Sequence, residues 1–243
     1  LINYKKKYLS DLNIHWIAGN QFIENKIQSS EIYNHKFHKI TKIYNTLEKF
    51  EFSDEEILKF KIENKLNNYD LIVLFSSLKL SDSRKGISEL INCLKYYDNL
   101  PNVNYKIALV SLGKEINLKL GTKKIDYFHF NYIKDFRHLN LIFNSCDIFM
   151  NLSKYDFGPV LCEIAFQNNL FILSSNVGIA GEIVINNLNG FIYKKKEEIS
   201  KKFEKTIELA MRKKEPLNND QTSLMKKIYV LNKSEKFNYI FDE

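Results

Sequence analysis

The sequence is short of the residues that break or staple a chain. Among 243 residues there are three prolines, eight glycines, three cysteines and one tryptophan. So little proline and glycine, beside 44% apolar and 14% aromatic residues, excludes a linker-like or disordered chain and leaves a globular one with ample core. Cys93, Cys146 and Cys162 sit in apolar settings without paired spacing, so they read as buried thiols of a reducing compartment. No apolar run approaches the roughly 18 residues of a spanning helix. No secretory leader pattern opens the chain, so a cytoplasmic protein is expected. It begins with Leu rather than Met and reads as a fragment. The five histidines lack metal-ligand spacing; even His35 and His38, three apart, lie in a polar stretch, and no metal is expected. The sequence has no G-x-S-x-G, no G-x-x-x-x-G-K-[ST] and no G-x-G-x-x-G.

Positive charge is present in excess, at +7, with basic clusters at 5–7, 194–196, 201–202 and 212–214. Such clusters suit an anionic membrane or a phosphorylated ligand, and equally a solvated helix face. Without a nucleic-acid module beside them, nucleic acid is not an expected partner.

From residue 70 onward short apolar runs alternate with amphipathic segments. "LIVLFSS" (71–77), "YKIALVSLG" (105–113), "IDYFHFNYI" (125–133), "DIFMNLS" (147–153), "LFILSS" (170–175) and "GFIYK" (190–194) read as strands. Helices are expected over 86–100, 136–146, 159–169, 180–187 and 196–213, with Pro159 in a first turn where a missing N–H costs nothing. The alternation predicts an α/β fold, a Rossmann-like parallel sheet with helices on both faces, whose ligands meet the carboxyl ends of the strands. Upstream, strands at 14–20 and 39–45 and a helix at 21–33 look too few for a sheet of their own and read as the tail of a preceding domain. The expected organisation is therefore a domain remnant over 1–45, a connection over 46–69, the main domain over 70–222 and a C-terminal helix over 223–243. That last segment is amphipathic, and without a partner its apolar face is expected to be exposed, with poor solubility.

Three stretches following strands could carry chemistry. "DSRKG" (82–86) sets Arg84 and Lys85 before a helix opened by Gly86, a place where backbone N–H groups and cations meet an anion; Ser76 and Ser77 lie just upstream. "SKYDFGPVLCEIAF" (153–166) sets Tyr155, Asp156, Gly158 and Pro159 ahead of Glu163, an acid on the flank of an apolar helix face. A fixed carboxylate there can accept two hydroxyl donors from a ribose or a hexose. "SSNVGIAGE" (174–182) combines Gly178 and Gly181, which permit close backbone approach, with Glu182 at a helix start. Singly, each also fits an ordinary solvated turn or helix edge.

As an ordered set, "SRKGISEL", "ALVSLG", "CDIFMNLSKYDFGPVLCEIAF", "NVGIAGEIV" and "NGFIY" resemble the C-terminal half of a retaining glycosyltransferase of the GT-B fold, family 4. "HWIAGNQFIENKIQSS" and "ITKIYNTL" are similar to the end of that family's first domain, so the resemblance covers roughly residues 14 to 195. It implies a domain that binds a nucleotide-sugar donor, with the C-terminal helix over 223–243 crossing back to pack on the N-terminal, acceptor-side domain. Lys85, beside Arg84, matches the lysine that stabilises the departing diphosphate, and Glu163 matches the second Glu of the E-x7-E pair, which holds the ribose. Tyr155 stands where the first Glu of that pair is expected, with Asp156 next to it; Ser77 stands where an Arg is frequent, and Gly178 is followed by Ile179. The implied activity is sugar transfer with retention to a glycan or lipid-linked acceptor, in cell-surface polysaccharide synthesis, with no cofactor or metal. Peripheral contact with the inner membrane face is expected on charge alone. Two alternatives stay open: a non-catalytic nucleotide- or partner-binding remnant, and another enzyme of the same fold such as a sugar epimerase.

Overall fold

The structure is a computed structural model describing residues 2–212 apart from 46, 80–81, 102, 104 and 115–119. The expected helix over 223–243 and its apolar face lie outside the described residues. The described residues divide into two compact units, one within residues 2–45 and one within residues 47–212.

In the first unit, helix α1 (Ile2–Leu9), strand β1 (Ile14–Ala18), helix α2 (Gln21–Gln28) and strand β2 (His38–Lys42) follow in order. The two strands do make a sheet of their own, contrary to expectation: they pair in parallel from Ile14 opposite His38 to Ala18 opposite Lys42. The pairing is held from behind by His38, which is buried, donates from Nε2 to the Leu9 carbonyl at 3.0 Å and accepts at Nδ1 from Trp16 Nε1 at 3.2 Å. Two strands suffice because α2 crosses between them, its first turn closed by the Asn20 side chain accepting from the Ile23 N–H. This explains His38 as a structural residue.

The second unit opens with helix α3 (Asp54–Glu63), started by a capping box between Ser53 and Glu56. The segment read as a connection therefore carries packing of its own. Phe60 stacks on Phe130 and Phe50 meets Phe136 edge-on. Then come β3 (Leu71–Lys79), α4 (Ile87–Asp98), β4 (Ile107–Lys114), β5 (Ile125–Phe130), α5 (Phe136–Asn144), β6 (Ile148–Asn151), α6 (Val160–Gln167), β7 (Phe171–Ser175), α7 (Ala180–Ile183), β8 (Gly190–Tyr193) and α8 (Ile199–Arg212). The six strands form one parallel sheet in the order β5-β4-β3-β6-β7-β8.

Helices cover both faces of this sheet. Leu90, Cys93, Leu94 and Tyr97 of α4 join Phe203, Ile207 and Ala210 of α8 over Val73, Phe75, Ile148 and Met150. Strands buried on two sides must be apolar throughout, which is why "LIVLF" runs without a polar break. All three cysteines are free and buried, and burial pushes each thiol up and out of reach of ordinary ionisation. Among the described residues no helix is long and apolar enough to cross a membrane.

The strand order has one reversal. The chain leaves β3 outward to β4 and β5, returns to β6 on the other side of β3, and leaves outward again to β7 and β8. The loops after β3 and after β6 therefore part in opposite directions, and a crevice at the carboxyl edge between them is where an open α/β sheet takes its ligand.

Candidate functional site

The two loops flanking this crevice are those that carry "DSRKG" and "SKYDFGP". They are locked together before any charge is considered. Gly86 adopts φ 79°, and a Cβ there would collide with the Leu152 carbonyl of the opposite loop. The Lys154 N–H donates to the Arg84 carbonyl at 2.7 Å. Only glycine combines the left-handed backbone with so close an approach.

On this frame Lys85 Nζ donates to Asp156 Oδ2 at 2.7 Å, with both side chains mostly buried. The sequence separates the pair by 71 positions, and the fold brings them together across the reversal. Arg84 turns the other way. Its guanidinium grips Asp82 within its own loop, through Nη2 at 2.7 Å and Nε at 3.1 Å, and its side chain is 70% exposed. Hydrogen bonds from the Arg84 side chain and backbone hold the Asp82 carboxyl down at about 2. Of the two cations, Lys85 thus faces the crevice partner and Arg84 stiffens the loop.

The loop after β6 continues into α6. Pro159 takes the N-cap rather than the first helical position, with Val160 beginning the helix. The Gly158 N–H bonds Asp156 Oδ1 at 3.3 Å, so Asp156 fastens its own turn as well as Lys85. Nothing crowds Gly158, whereas Gly178, at φ 53°, lies where a Cβ would strike Pro159. The loop after β7 is therefore packed onto the start of α6. Glu163 is buried in the first turn of α6, where the helix dipole favours an anion. Burial pushes the neighbouring Cys162 thiol up, and the charges of Asp156 and Glu163 act in the same direction.

The other candidates fall less centrally. Ser76 donates to the Leu112 carbonyl of β4 at 3.3 Å and Ser77 to the Lys79 carbonyl at 2.8 Å, so both hydroxyls are engaged in strand structure. Tyr155 is 78% exposed and Phe157 is exposed beside it on the same loop. Glu182 lies in the short α7, half-buried. Two cations escaped the sequence reading: Lys79 and Lys114 end β3 and β4 and sit opposite each other at the carboxyl edge. Their signal was the first charge after each apolar run. Among the described residues no group of three His, Cys, Asp or Glu side chains could hold a metal ion.

The arrangement offers one half-buried ammonium with a single counter-ion, the dipole of a helix start, an open glycine, and a buried carboxylate in the first helical turn. A cation, a helix dipole and a fixed carboxylate in this order are chemically suited to a diphosphate with hydroxyls beside it.

The family described as Glycosyl transferases group 1 matches residues 57–222. A search of the curated proteins finds no match. Among solved structures, the chain is similar to a glycosyltransferase from Rickettsia africae ESF-5, with 17% identity and a TM-score of 0.66, over 94% of this chain and 62% of that one. It is similar to Anabaena HepE in complex with UDP-glucose, with 16% identity and a TM-score of 0.63, over 89% and 60%. Sucrose-phosphate synthase from Thermosynechococcus elongatus gives 13% identity and a TM-score of 0.63, over 94% and 60%. The chain thus spans about three-fifths of the length of these structures.

Proposed function

Since the chain belongs to the Glycosyl transferases group 1 family, we propose that residues 47–212 bind a nucleotide-sugar donor and that the protein transfers its sugar, with retention, to a glycan or lipid-linked acceptor. The observation that carries this reading is the Lys85–Asp156 pair lying across the sheet reversal beside the start of α6. In the reading, the donor diphosphate displaces Asp156 from Lys85. Lys85 then takes up charge as the nucleoside diphosphate departs, and Lys79 and the dipole of α6 add to the field. Fixed cations and dipoles need no reorganisation during the reaction, which is the source of their effect. Glu163 holds the ribose hydroxyls. Gly158, without a side chain, leaves room for the phosphates. Transfer then needs no divalent ion, and EDTA is expected to leave it unchanged.

The Rossmann-like fold and the UDP-glucose complex of the Anabaena neighbour support this direction. Family 4 kinship, a role in cell-surface polysaccharide synthesis and peripheral contact at the inner membrane face complete the proposal. The second reading, binding without turnover, is favoured by two features: Lys85 is already neutralised, and exposed Tyr155 stands where an acid would be expected to meet the sugar.

The test is thermal unfolding of this chain and of Glu163→Ala with UDP, GDP, ADP and CMP and their sugars. One nucleotide is expected to stabilise the chain by about 2.7 kcal/mol at 100 times its Kd, and to lose that effect in Glu163→Ala. Stabilisation by none of them would overturn the donor-site assignment. Nucleotide binding without sugar hydrolysis or transfer would select the second reading.

A further inference from the structure

A second cluster of charges stands at the same edge of the sheet, on the side covered by α4 and α8. It lines a cleft of about 460 Å³ with Lys154 after β6, Tyr193 and Lys194 at the end of β8, and Lys196 before α8. At its centre is Glu89, in the first turn of α4 and close behind Lys85 and Gly86 in the chain.

The Glu89 side chain is 4% exposed. Lys154 and Lys196 approach the same oxygen, Oε1, at 3.5 and 3.0 Å, and Ser88 Oγ donates to Oε2 at 2.7 Å. Burial opposes ionisation of Glu89, yet the Ser88 and Lys196 contacts outweigh it, and the carboxyl is held at about 2. A carboxylate enclosed in the first turn of a helix has little freedom. It is therefore the longer, more exposed lysines that are held by Glu89.

Lys154 is the partner that matters for the donor site. Its N–H donates to the Arg84 carbonyl at 2.7 Å, and its ammonium group reaches Glu89. One residue thus grips the chain on both sides of Gly86. Further along the same loop, Asp156 accepts from Lys85 at 2.7 Å. These polar ties join the loop after β6 to the loop before α4, and a diphosphate that takes Lys85 removes only the last of them. Lys196, though closer to Oε1, links Glu89 to the segment before α8 and not to this loop.

We propose that Glu89 is a positioning residue of the donor site: through Lys154 it holds the loop after β6 against the start of α4 once Asp156 has released Lys85. This role rests on the donor reading given above. Glu89 touches no ligand in it. It keeps Gly158 and the start of α6 in register with Lys85 while the counter-ion is exchanged.

The test is amide hydrogen exchange of the whole chain in Asp156→Ala, which removes the exchangeable tie. There the amide of residue 154 should keep its protection within about threefold. Adding Lys154→Met, at a side chain 47% exposed, should lower that protection about tenfold while the Phe171 and Ile172 amides of the sheet stay unchanged. Adding Glu89→Gln should do the same to the loop, and the two together should cost no more than either, since each removes the same tie. Adding Lys196→Met should leave the loop within about threefold. Protection lost in Asp156→Ala alone, an equal loss in the sheet amides of the Lys154→Met variant, or an equal loss in Lys196→Met would overturn the tie. Nucleotide titration separates the role from the donor reading. Whichever of UDP, GDP and ADP binds the wild-type chain should bind about fivefold more weakly in Lys154→Met and in Glu89→Gln, and within about twofold in Lys196→Met. Unchanged affinity in the first two variants would overturn the positioning role and leave the donor site standing. Binding of none of them to the wild-type chain would overturn the donor site, and the positioning role with it.

Discussion

Two charge clusters share the carboxyl edge of this sheet and are built on opposite plans. At the reversal, one ammonium meets one carboxylate, each partly open to solvent: Lys85 is 30% and Asp156 19% exposed. On the α4 side, one sealed carboxylate is met by two ammonium groups that remain largely in water. The first plan makes a pair that a ligand can exchange, because neither partner is stranded when the other is taken. The second makes an anchor, because Glu89 without its lysines would be a lone buried charge, whereas the lysines without Glu89 would simply be solvated. The differing charge balance does not by itself make one an exchangeable pair and the other an anchor; burial of one partner does.

Breaking the frame shared by the two clusters should have the largest effect. Gly86→Val puts a branched side chain into a left-handed backbone and against the Leu152 carbonyl. We expect a loss of about 3 kcal/mol or more in urea unfolding, with nucleotide binding lost as well. Next comes Glu89→Ala, expected to cost about 2 kcal/mol by the same measurement, below the usual loss for a broken buried pair because its partners are exposed. Asp156→Asn should cost less than about 1 kcal/mol. Equal losses in these two variants would erase the distinction between anchor and exchangeable pair.

The acid limb tests the anchor on its own. Glu89 is held at about 2 in the folded chain against 4.5 for a free glutamate, so its stabilisation is complete above 4.5 and drains away as pH falls toward 2. Stability measured between pH 5 and about 2 should therefore fall more shallowly in Glu89→Gln than in the wild-type chain. A slope unchanged by the substitution would show that Glu89 is not ionised at depth. The smallest effect expected is on affinity. With Asp156 no longer competing for Lys85, Asp156→Asn should bind the preferred nucleoside diphosphate about threefold more tightly. Weaker binding would instead make Asp156 a contact of the donor.

Much of this was legible in the chain because a parallel sheet covered twice needs unbroken apolar strands, and loops near a phosphate need glycine and cations. "LIVLF", "FILSS" and the turn at Gly86 declare themselves in that way. The ends of elements were less legible: the stretch read as a helix over 180–187 stops at Ile183, where Asn189 and Asn186 side chains cap the following turn and strand instead. The pairing of β1 with β2 was hidden because their faces are only half-buried, leaving little alternation to read. The partnership of Lys85 with Asp156 depends on which strand lies beside β3, a property of topology. The Glu89 cleft draws its residues from five segments, and its one local hint, an acid within the apolar face of "GISELINCL", went unused.

The reversal at the sheet centre also bears on how the chain acquires its shape. β3 bonds to β4 between Ser76 and Leu112, 36 positions apart, but its bond to the start of β6, from the Ile72 N–H to Asp147, spans 75. Closing the longer span costs more chain entropy and repays it only once an entire outward excursion has formed. The half-sheet β3-β4-β5 is therefore expected to collapse first, with β6 docking later. Lys85 then waits, solvated, for Asp156, and a diphosphate present at that stage would find its ammonium before the native counter-ion does.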